Sequence, residues 1–166
     1  MKTHKKIIIL FLFILIFIFP CMADIYGNVH IFFGSDYYSD RYNSNIFNTS
    51  SYGLGFGLIF DEGEGGFLRA GLLFEYNMSN ILRIRPYMHL GYALGSWIFG
   101  AFGFIGISNV FLTDFNTSSI GISPEFGLGF YFLGLTVEVK IQYDFYFNNN
   151  FNAFILSSII SIPLFF

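Results

Sequence analysis

Apolar and polar side chains alternate with a period of two through most of the chain after residue 24. In the segment 67–76, for example, Arg69 and Glu75 share the face opposite to a row of apolar side chains, Leu68, Ala70, Leu72, Phe74 and Tyr76. A period of two indicates β-strands, because successive side chains of a strand point to opposite faces. The pattern predicts eight strands, at 25–33, 52–60, 67–76, 82–94, 97–110, 120–132, 135–147 and 154–166.

The predicted connections differ in length. Those at 61–66, 95–96 and 133–134 are short, and those at 34–51, 77–81, 111–119 and 148–153 are longer. Short turns at one end and longer loops at the other are typical of transmembrane β-barrels. The fold class that we predict is therefore all-β, an eight-stranded antiparallel up-and-down transmembrane barrel. Its even strand number would bring both termini to the periplasmic side.

The charged residues of the predicted strands all fall on the less apolar face. They are Arg69, Glu75, Arg83, Arg85, Glu125, Glu138, Lys140 and Asp144. A cation that faces lipid at the middle of the bilayer costs about 2–4 kcal/mol, so this distribution fits a lipid-facing apolar surface. A barrel of eight strands has an interior that side chains just fill. Charges buried there must pair, because an unpaired buried ion is very costly.

The predicted turns suggest which charges pair in the lumen. A loop centred on residue 79 places Glu75 opposite Arg83, and Asp144 lies at a height from which it could reach Arg85. Two further groups are expected, near the periplasmic end and in the middle of the lumen respectively: Arg69 with Glu138, and Glu125 with Lys140 and His89.

The strand 97–110 is apolar on both faces, and a two-residue turn at 95–96 would determine which of its faces points outward. It pairs Leu94 with Trp97 and places Gly106 beside Arg85 and Ser108 beside Arg83. Aromatic side chains near the two ends would then form girdles at the membrane interfaces. The candidates are Trp97 and Tyr92 at the periplasmic rim, and Tyr76, Phe145 and Phe147 at the other.

The first 23 residues are predicted to be a cleaved export signal. Three lysines precede an uninterrupted apolar run at 7–19, and Cys21 and Ala23 occupy small-residue positions of a cleavage site after Ala23. The predicted division is thus a signal peptide at 1–23 and a barrel domain at 24–166. Two alternatives stay open: an uncleaved anchor, and a lipoprotein signal in which Cys21 is lipidated rather than removed.

Composition agrees with a membrane barrel and excludes other classes. The chain is 54% hydrophobic and 11% charged, whereas soluble domains typically carry about 25% charged residues. Its net charge of −3 argues against a nucleic-acid partner. Cysteine and histidine spacings suggest neither a metal site nor a cofactor.

The chain resembles the small eight-stranded outer-membrane barrels of the OmpA/OmpX-like superfamily. The resemblance lies in length, topology and a last strand that ends in Phe166 with Leu164 two residues before it, similar to the signal read by the barrel-assembly machinery. The chain departs from that pattern at Ile159 and Ser161. The resemblance implies Sec export, outer-membrane location, and outer-membrane lipid and the assembly machinery as partners.

The function that we expect from the sequence is non-enzymatic, a structural or adhesive role through the longer loops. The segment 35–51 reads SDYYSDRYNSNIFNTSS, a Tyr/Ser/Asn mixture used by adaptable binding surfaces. Its candidate contacts with host or surface ligands are Tyr37, Tyr38, Arg41 and Tyr42; an ordinary solvated loop is the other interpretation. No mature histidine falls in a predicted external loop, so no catalytic triad is expected there. The alternatives are a narrow pore for ions or small solutes and a soluble periplasmic ligand-binding barrel.

Overall fold

The computed structural model describes residues 24–40, 46–61, 65–96, 98–114, 117–148 and 151–164, so the predicted signal peptide at 1–23 lies outside the described residues. The described chain forms eight strands, β1 (Asp24–Asp40), β2 (Ile46–Asp61), β3 (Gly66–Asn77), β4 (Leu82–Gly95), β5 (Phe99–Thr113), β6 (Ser118–Phe132), β7 (Leu135–Tyr146) and β8 (Phe151–Leu164).

Each strand pairs with its neighbours in sequence, and β8 pairs with β1 to close the barrel. All eight pairings are antiparallel. A path that starts at Tyr26 and crosses from partner to partner returns to β1 at Asp36, ten residues further along the strand. This stagger tilts the strands and sets the width of an interior that side chains fill. The predicted fold class is confirmed.

The barrel has charged side chains inside and apolar side chains outside. All eight strand charges that the pattern placed on the inner face are buried. Large apolar side chains point outward instead, such as Leu54, Ile105 and Phe130, which are 61–64% exposed. A water-soluble barrel would need the opposite arrangement, so the soluble alternative is wrong. In the described residues, no helix combines the length and apolarity that crossing a bilayer requires.

Several strands are longer than the pattern predicts, and the first predicted loop is wrong. The segment 35–51 was expected to connect two strands, but β1 continues to Asp40 and β2 begins at Ile46. The connections at this end are 41–45, 78–81, 114–117 and 147–150, and those at the opposite end are 62–65, 96–98 and 133–134. The expected large difference in loop length is therefore absent. We call the end that carries Asp24 and Leu164 the terminal end, and the opposite one the far end.

The predicted register between β4 and β5 is also wrong. The expected two-residue turn pairs Leu94 with Trp97, whereas Leu94 lies opposite Ala101. Gly106 consequently lies beside His89, and Ser108 beside Tyr87. The slip amounts to four residues, and because four is even, every side chain of β5 keeps its predicted face.

Candidate functional site

Five buried charged side chains form a far-end cluster in the lumen, consisting of Asp36, Glu75, Arg83, Arg85 and Asp144. Arg85 donates from Nε to Glu75 Oε1 at 2.8 Å, and from Nη1 and Nη2 to the two carboxylate oxygens of Asp144 at 2.9 and 3.0 Å. Arg83 lies with Nε 3.2 Å from Glu75 Oε2 and donates from Nη2 to Asp36. All five side chains are fully buried.

Strand geometry explains this arrangement. Glu75 and Arg83 are direct partners across the β3–β4 ladder, the pairing that the register argument gives. Arg85 lies two residues further along the same inner face of β4, and its long side chain crosses the lumen to Asp144 on β7. The structure thus brings together both pairs that the sequence suggested for this region, and it adds Asp36 to them.

A second, terminal-end cluster consists of Arg69, His89, Glu125, Glu138 and Lys140. Arg69 and Glu138 form a two-bonded pair, with Nη1–Oε2 at 2.7 Å and Nη2–Oε1 at 3.0 Å. Lys140 Nζ donates to Glu125 Oε2 at 3.1 Å, and His89 Nε2 lies 2.6 Å from the same oxygen. The two groups that the sequence predicted near the periplasmic end and in the middle of the lumen therefore form one network.

The contacts of His89 define its tautomer. Its Nδ1 faces two donors of Arg69, Nε at 3.2 Å and Nη2 at 2.9 Å, so Nδ1 carries the lone pair. The proton then resides on Nε2, which donates to Glu125. His89 is consequently a neutral bridge between Arg69 and Glu125.

Aromatic rings fill the terminal half of the lumen. Tyr87, His89 and Phe104 stack in a row, with ring centroids 4.6 and 4.4 Å apart, and the guanidinium of Arg69 lies 4.7 Å from the Phe104 ring centroid. The inner glycines make room for these rings: a Cβ on Gly127 would lie only 2.2 Å from Phe104 Cζ. Glycine on one strand thus receives an aromatic ring from the next, which explains the glycine-rich inner face.

The packing leaves little space between the clusters. A cavity of about 10 Å³ lies among Arg69, Tyr87, Glu138, Lys140 and other lumen residues. That volume is close to the minimum for one water molecule. Arg85 and Asp144 span the lumen above it. The described lumen is therefore occupied by side chains.

One serine–histidine contact in the lumen could suggest nucleophilic chemistry. Ser161 Oγ lies 2.7 Å from His30 Nδ1, and His30 Nε2 lies 2.6 Å from the hydroxyl of Tyr87. The third group is a phenol rather than a carboxylate, and the adjoining cavity admits no substrate larger than water. Among the described residues, no group of three or more His, Cys, Asp or Glu side chains could hold a metal ion.

The predicted surface contacts of the segment 35–51 that the structure describes, Tyr37 and Tyr38, point in opposite directions. Tyr37 points outward and is 38% exposed, but Tyr38 is fully buried, so its predicted role as a surface contact is wrong. Tyr38 points inward because it shares the face of Asp36 on a strand that continues past Gly34. Arg41 and Tyr42 lie outside the described residues.

Asp36 was not predicted to be a lumen residue. The period-two pattern did indicate it, because Asp36 and Tyr38 continue the even-numbered inner face of His30 and Phe32. The polar letters around them favoured a loop instead.

The predicted girdle and assembly residues lie as follows. Tyr92, Phe145 and Phe147 are exposed, and Tyr76 is half-buried and donates from its hydroxyl to Asn80 Oδ1 at 2.6 Å. Leu164 is exposed at the end of β8. Trp97 and Phe166 lie outside the described residues.

A closed eight-stranded barrel with an apolar outer wall and ion pairs in its lumen defines the class of small transmembrane β-barrels. Comparison with solved structures gives the same result. Neisserial surface protein A aligns with 83% of this chain and 97% of its own, with a TM-score of 0.59 and 10% identity. The outer membrane enzyme PagL aligns with 82% of this chain and 99% of its own, with a TM-score of 0.57 and 15% identity.

These likenesses are of fold. No protein-family profile matches the sequence, and no curated protein matches it. The chain has the fold of small eight-stranded outer-membrane β-barrels, and the resemblance drawn from its sequence is confirmed. The two neighbours carry different functions in their names, one a surface protein and the other an enzyme, so fold alone does not decide between these functions.

Proposed function

We propose that the chain is a non-conducting, non-enzymatic protein of the bacterial outer membrane that acts by contacts at the far end of its barrel. The observation that carries this proposal is the filled lumen. A water path would have to pass the Arg85–Asp144 pair and the stacked rings of Tyr87, His89 and Phe104. Function is therefore sought on the surface.

The far end is assigned to the cell exterior. An even number of strands places Asp24 and Leu164 at the same end, and that end faces the periplasm in bacterial barrels of this type. The predicted export signal at 1–23 agrees with this orientation.

At the far end, β2 extends past the end of its neighbour β3. β1 pairs with β2 as far as Ser39↔Ile46 and with β8 as far as Asp40↔Phe151, but the β2–β3 ladder ends at Ser51↔Asn77. The segment 46–50 of β2 is thus held by β1 on one side and lies beyond the end of β3 on the other. Met78, which follows β3, is 73% exposed at the foot of this edge.

The β2 edge favours an extended peptide as the partner. Ser50 accepts a hydrogen bond from the Met78 amide, so the backbone groups of Asn48, two residues away, point to the same side. Among the described residues, no strand pairs with this edge beyond Ser51. An unpaired strand edge is a template for another strand, and this one reads IFNTS, without the lysine or proline that commonly protect edges. Tyr37 lies opposite Asn48 and adds an exposed aromatic side chain.

Enzymatic chemistry is not supported by the lumen contacts. The Ser161–His30 pair is buried beside a cavity of about 10 Å³, and Ser108 donates to Glu125 at 2.5 Å rather than to a histidine. A nucleophile needs an adjacent base and room for substrate. Neither contact offers both.

Single-channel recording tests the closed lumen. The mature chain 24–166 is refolded, shown to be folded by its heat-modifiable gel mobility, and inserted into planar bilayers, with a general porin as the positive control. We expect silent bilayers. Discrete, reproducible steps from the folded preparation would overturn the non-conducting assignment and make Arg83, Arg85 and His89 candidates for ion selectivity.

Peptide selection tests the far-end contact. Refolded barrels in nanodiscs are panned against a phage-displayed library of unstructured peptides, with empty nanodiscs subtracted. Selected peptides should lose binding to Asn48→Pro, which removes the edge amide while leaving the β1 side paired, and keep binding to Thr117→Ala on another connection. Equal binding to both variants, or no selection above empty nanodiscs, would overturn the edge as the contact site.

A further inference from the structure

The far-end cluster contains three carboxyl groups but only two guanidinium groups. Asp36, Glu75 and Asp144 face Arg83 and Arg85, and all five side chains are fully buried. With every group ionised, this buried cluster would carry a net charge of −1.

The terminal-end cluster is balanced. Arg69 and Lys140 face Glu138 and Glu125, two charges of each sign. His89 is neutral because its Nδ1 accepts from Arg69. Between the two clusters, Arg85 Nη1 lies 3.9 Å from Glu125 Oε1, and Ser108 accepts a hydrogen bond from Arg85 and donates one to Glu125 without adding a charge. The surplus negative charge therefore belongs to the far-end cluster.

His30, the remaining lumen histidine, does not offset the surplus. Its two ring nitrogens contact the hydroxyls of Ser161 and Tyr87, and the same cavity is lined by the cations Arg69 and Lys140. A third positive charge beside these two cations would be unfavourable, so His30 is neutral.

An uncompensated charge in a water-poor interior is strongly unfavourable, and a protein avoids it by taking up a neutralising ion or a proton. We propose that the folded barrel retains one proton on the far-end cluster, and that Asp36 carries it. With Asp36 neutralised by this proton, two cations face two carboxylates and the cluster carries no net charge.

Of the three carboxyl groups, Asp36 has the fewest contacts with guanidinium groups that would stabilise a negative charge. Asp144 accepts two guanidinium bonds from Arg85 and one from the hydroxyl of Tyr146 at 2.9 Å. Glu75 lies against both arginines, 2.8 Å from Arg85 and 3.2 Å from Arg83. Asp36 contacts one guanidinium group, that of Arg83, and its other two donors are the neutral hydroxyls of Ser51 and Tyr38.

The surroundings of Asp36 accommodate the protonated form. Its Oδ1 lies 2.8 Å from Ser51 Oγ, so a proton on Oδ1 can be donated to that hydroxyl, while Oδ2 continues to accept from Arg83. Tyr38 on β1 lies 3.4 Å from Oδ2, and the cross-strand neighbour on β8 is the apolar Ile155. The charged groups of β3 and β7 that lie nearest to the Asp36–Arg83 pair are Glu75 and Asp144. Both are negative, so both favour a neutral Asp36.

The retained proton couples folding to pH with a definite sign. Above about pH 4 an unfolded aspartate is ionised, so the folded barrel binds one proton more than the unfolded chain. Above about pH 7.5, where the histidines of the unfolded chain are also neutral, stability falls as pH rises, and the unfolding equilibrium constant increases about tenfold per pH unit while the proton is held. Below about pH 6.5 the unfolded chain gains protons on His30 and His89, which are neutral in the folded barrel, so stability falls there as well and is greatest near neutral pH.

Two isosteric variants test the assignment, both measured by urea unfolding in phospholipid vesicles. Asp36→Asn fixes position 36 in a neutral form, so the variant should be as stable as the parent or more stable at pH 7, with the tenfold dependence above about pH 7.5 lost. Glu138→Gln removes a carboxylate from the balanced cluster and leaves Arg69 unpaired, so its unfolding constant should rise about a hundredfold or more.

Infrared spectroscopy supplies an independent readout. The parent protein at pH 7 should show a protonated carboxyl C=O band that is absent from Asp36→Asn and retained in Glu138→Gln. The proposal is overturned if the band is absent, if both variants are destabilised alike, or if Asp36→Asn does not fold. It is also overturned if stability follows the sodium concentration when choline replaces sodium, because a bound cation would then be the compensating charge.

Discussion

Arg85 on β4 and Asp144 on β7 form a two-bonded ion pair across the lumen, at 2.9 and 3.0 Å, and so connect strands that are not neighbours in the barrel wall. The pair braces opposite parts of the wall from inside. Its bonds are shielded from water, so the energetic consequence of losing one partner is large.

Replacing Arg85 with Met should destabilise the barrel by about 3–5 kcal/mol, because it leaves Glu75 and Asp144 buried with too few donors. Urea unfolding in phospholipid vesicles measures the effect, with heat-modifiable mobility as the test of folding. Met88→Leu on the outer face of the same strand is the matched control and should stay within about 1.5 kcal/mol of the parent. Unchanged stability in Arg85→Met would contradict the bracing role.

The period-two pattern was enough to predict which side chains point into the lumen. Face assignment depends only on whether a residue number is odd or even within its strand, so it survives a register error of an even number of residues. The β4–β5 ladder shows this. The predicted pairing of Leu94 is displaced by four positions, and Ser108 was predicted beside Arg83, yet Ser108 keeps its inward face and accepts a hydrogen bond from Arg85 at 3.2 Å.

The length of β1 beyond Gly34 was not predictable from the same pattern. The alternation of apolar and polar residues ends where β1 passes Gly34. Ser35 and Ser39 occupy outer positions there, and the segment resembles a loop in composition. For this reason Asp36 was not predicted to belong to the ion-pair cluster, although it lies on the same even-numbered inner face of β1 as His30.

The inner glycines should resist enlargement where an aromatic ring covers them. Gly127→Ala would place a Cβ 2.2 Å from Phe104 Cζ, so we expect destabilisation of about 1–3 kcal/mol. Phe104→Leu in the same chain should recover part of the loss. Gly103→Ala is the matched control, because its Cβ would meet Leu128 Cδ2 at 3.0 Å and the effect should be smaller. Equal losses at both glycines would show that the ring does not determine the preference.

A charge on the outer wall should distinguish lipid contact from water contact. Ile105 is 64% exposed near the middle of β5, and Ile105→Arg should cost about 2–4 kcal/mol in a bilayer. Leu133→Arg, in the connection at the terminal end, should cost about 0–1 kcal/mol. Vesicle-based unfolding measures both. A negligible cost at Ile105 would contradict the lipid-facing assignment of this wall.

The connection between β6 and β7 offers a stabilising change. Leu133 and Gly134 form a two-residue turn with φ of 50° and 82°, a left-handed conformation that brings the Cβ of a residue such as leucine too close to the following carbonyl oxygen. Asparagine tolerates this region, so Leu133→Asn should stabilise the barrel by about 1 kcal/mol. Gly134→Ala, the reciprocal change, should destabilise it by about the same amount. A loss of stability in Leu133→Asn would mean that the exposed leucine gains more from contact with lipid than its backbone conformation costs, and Leu133→Ala would then be destabilised as well.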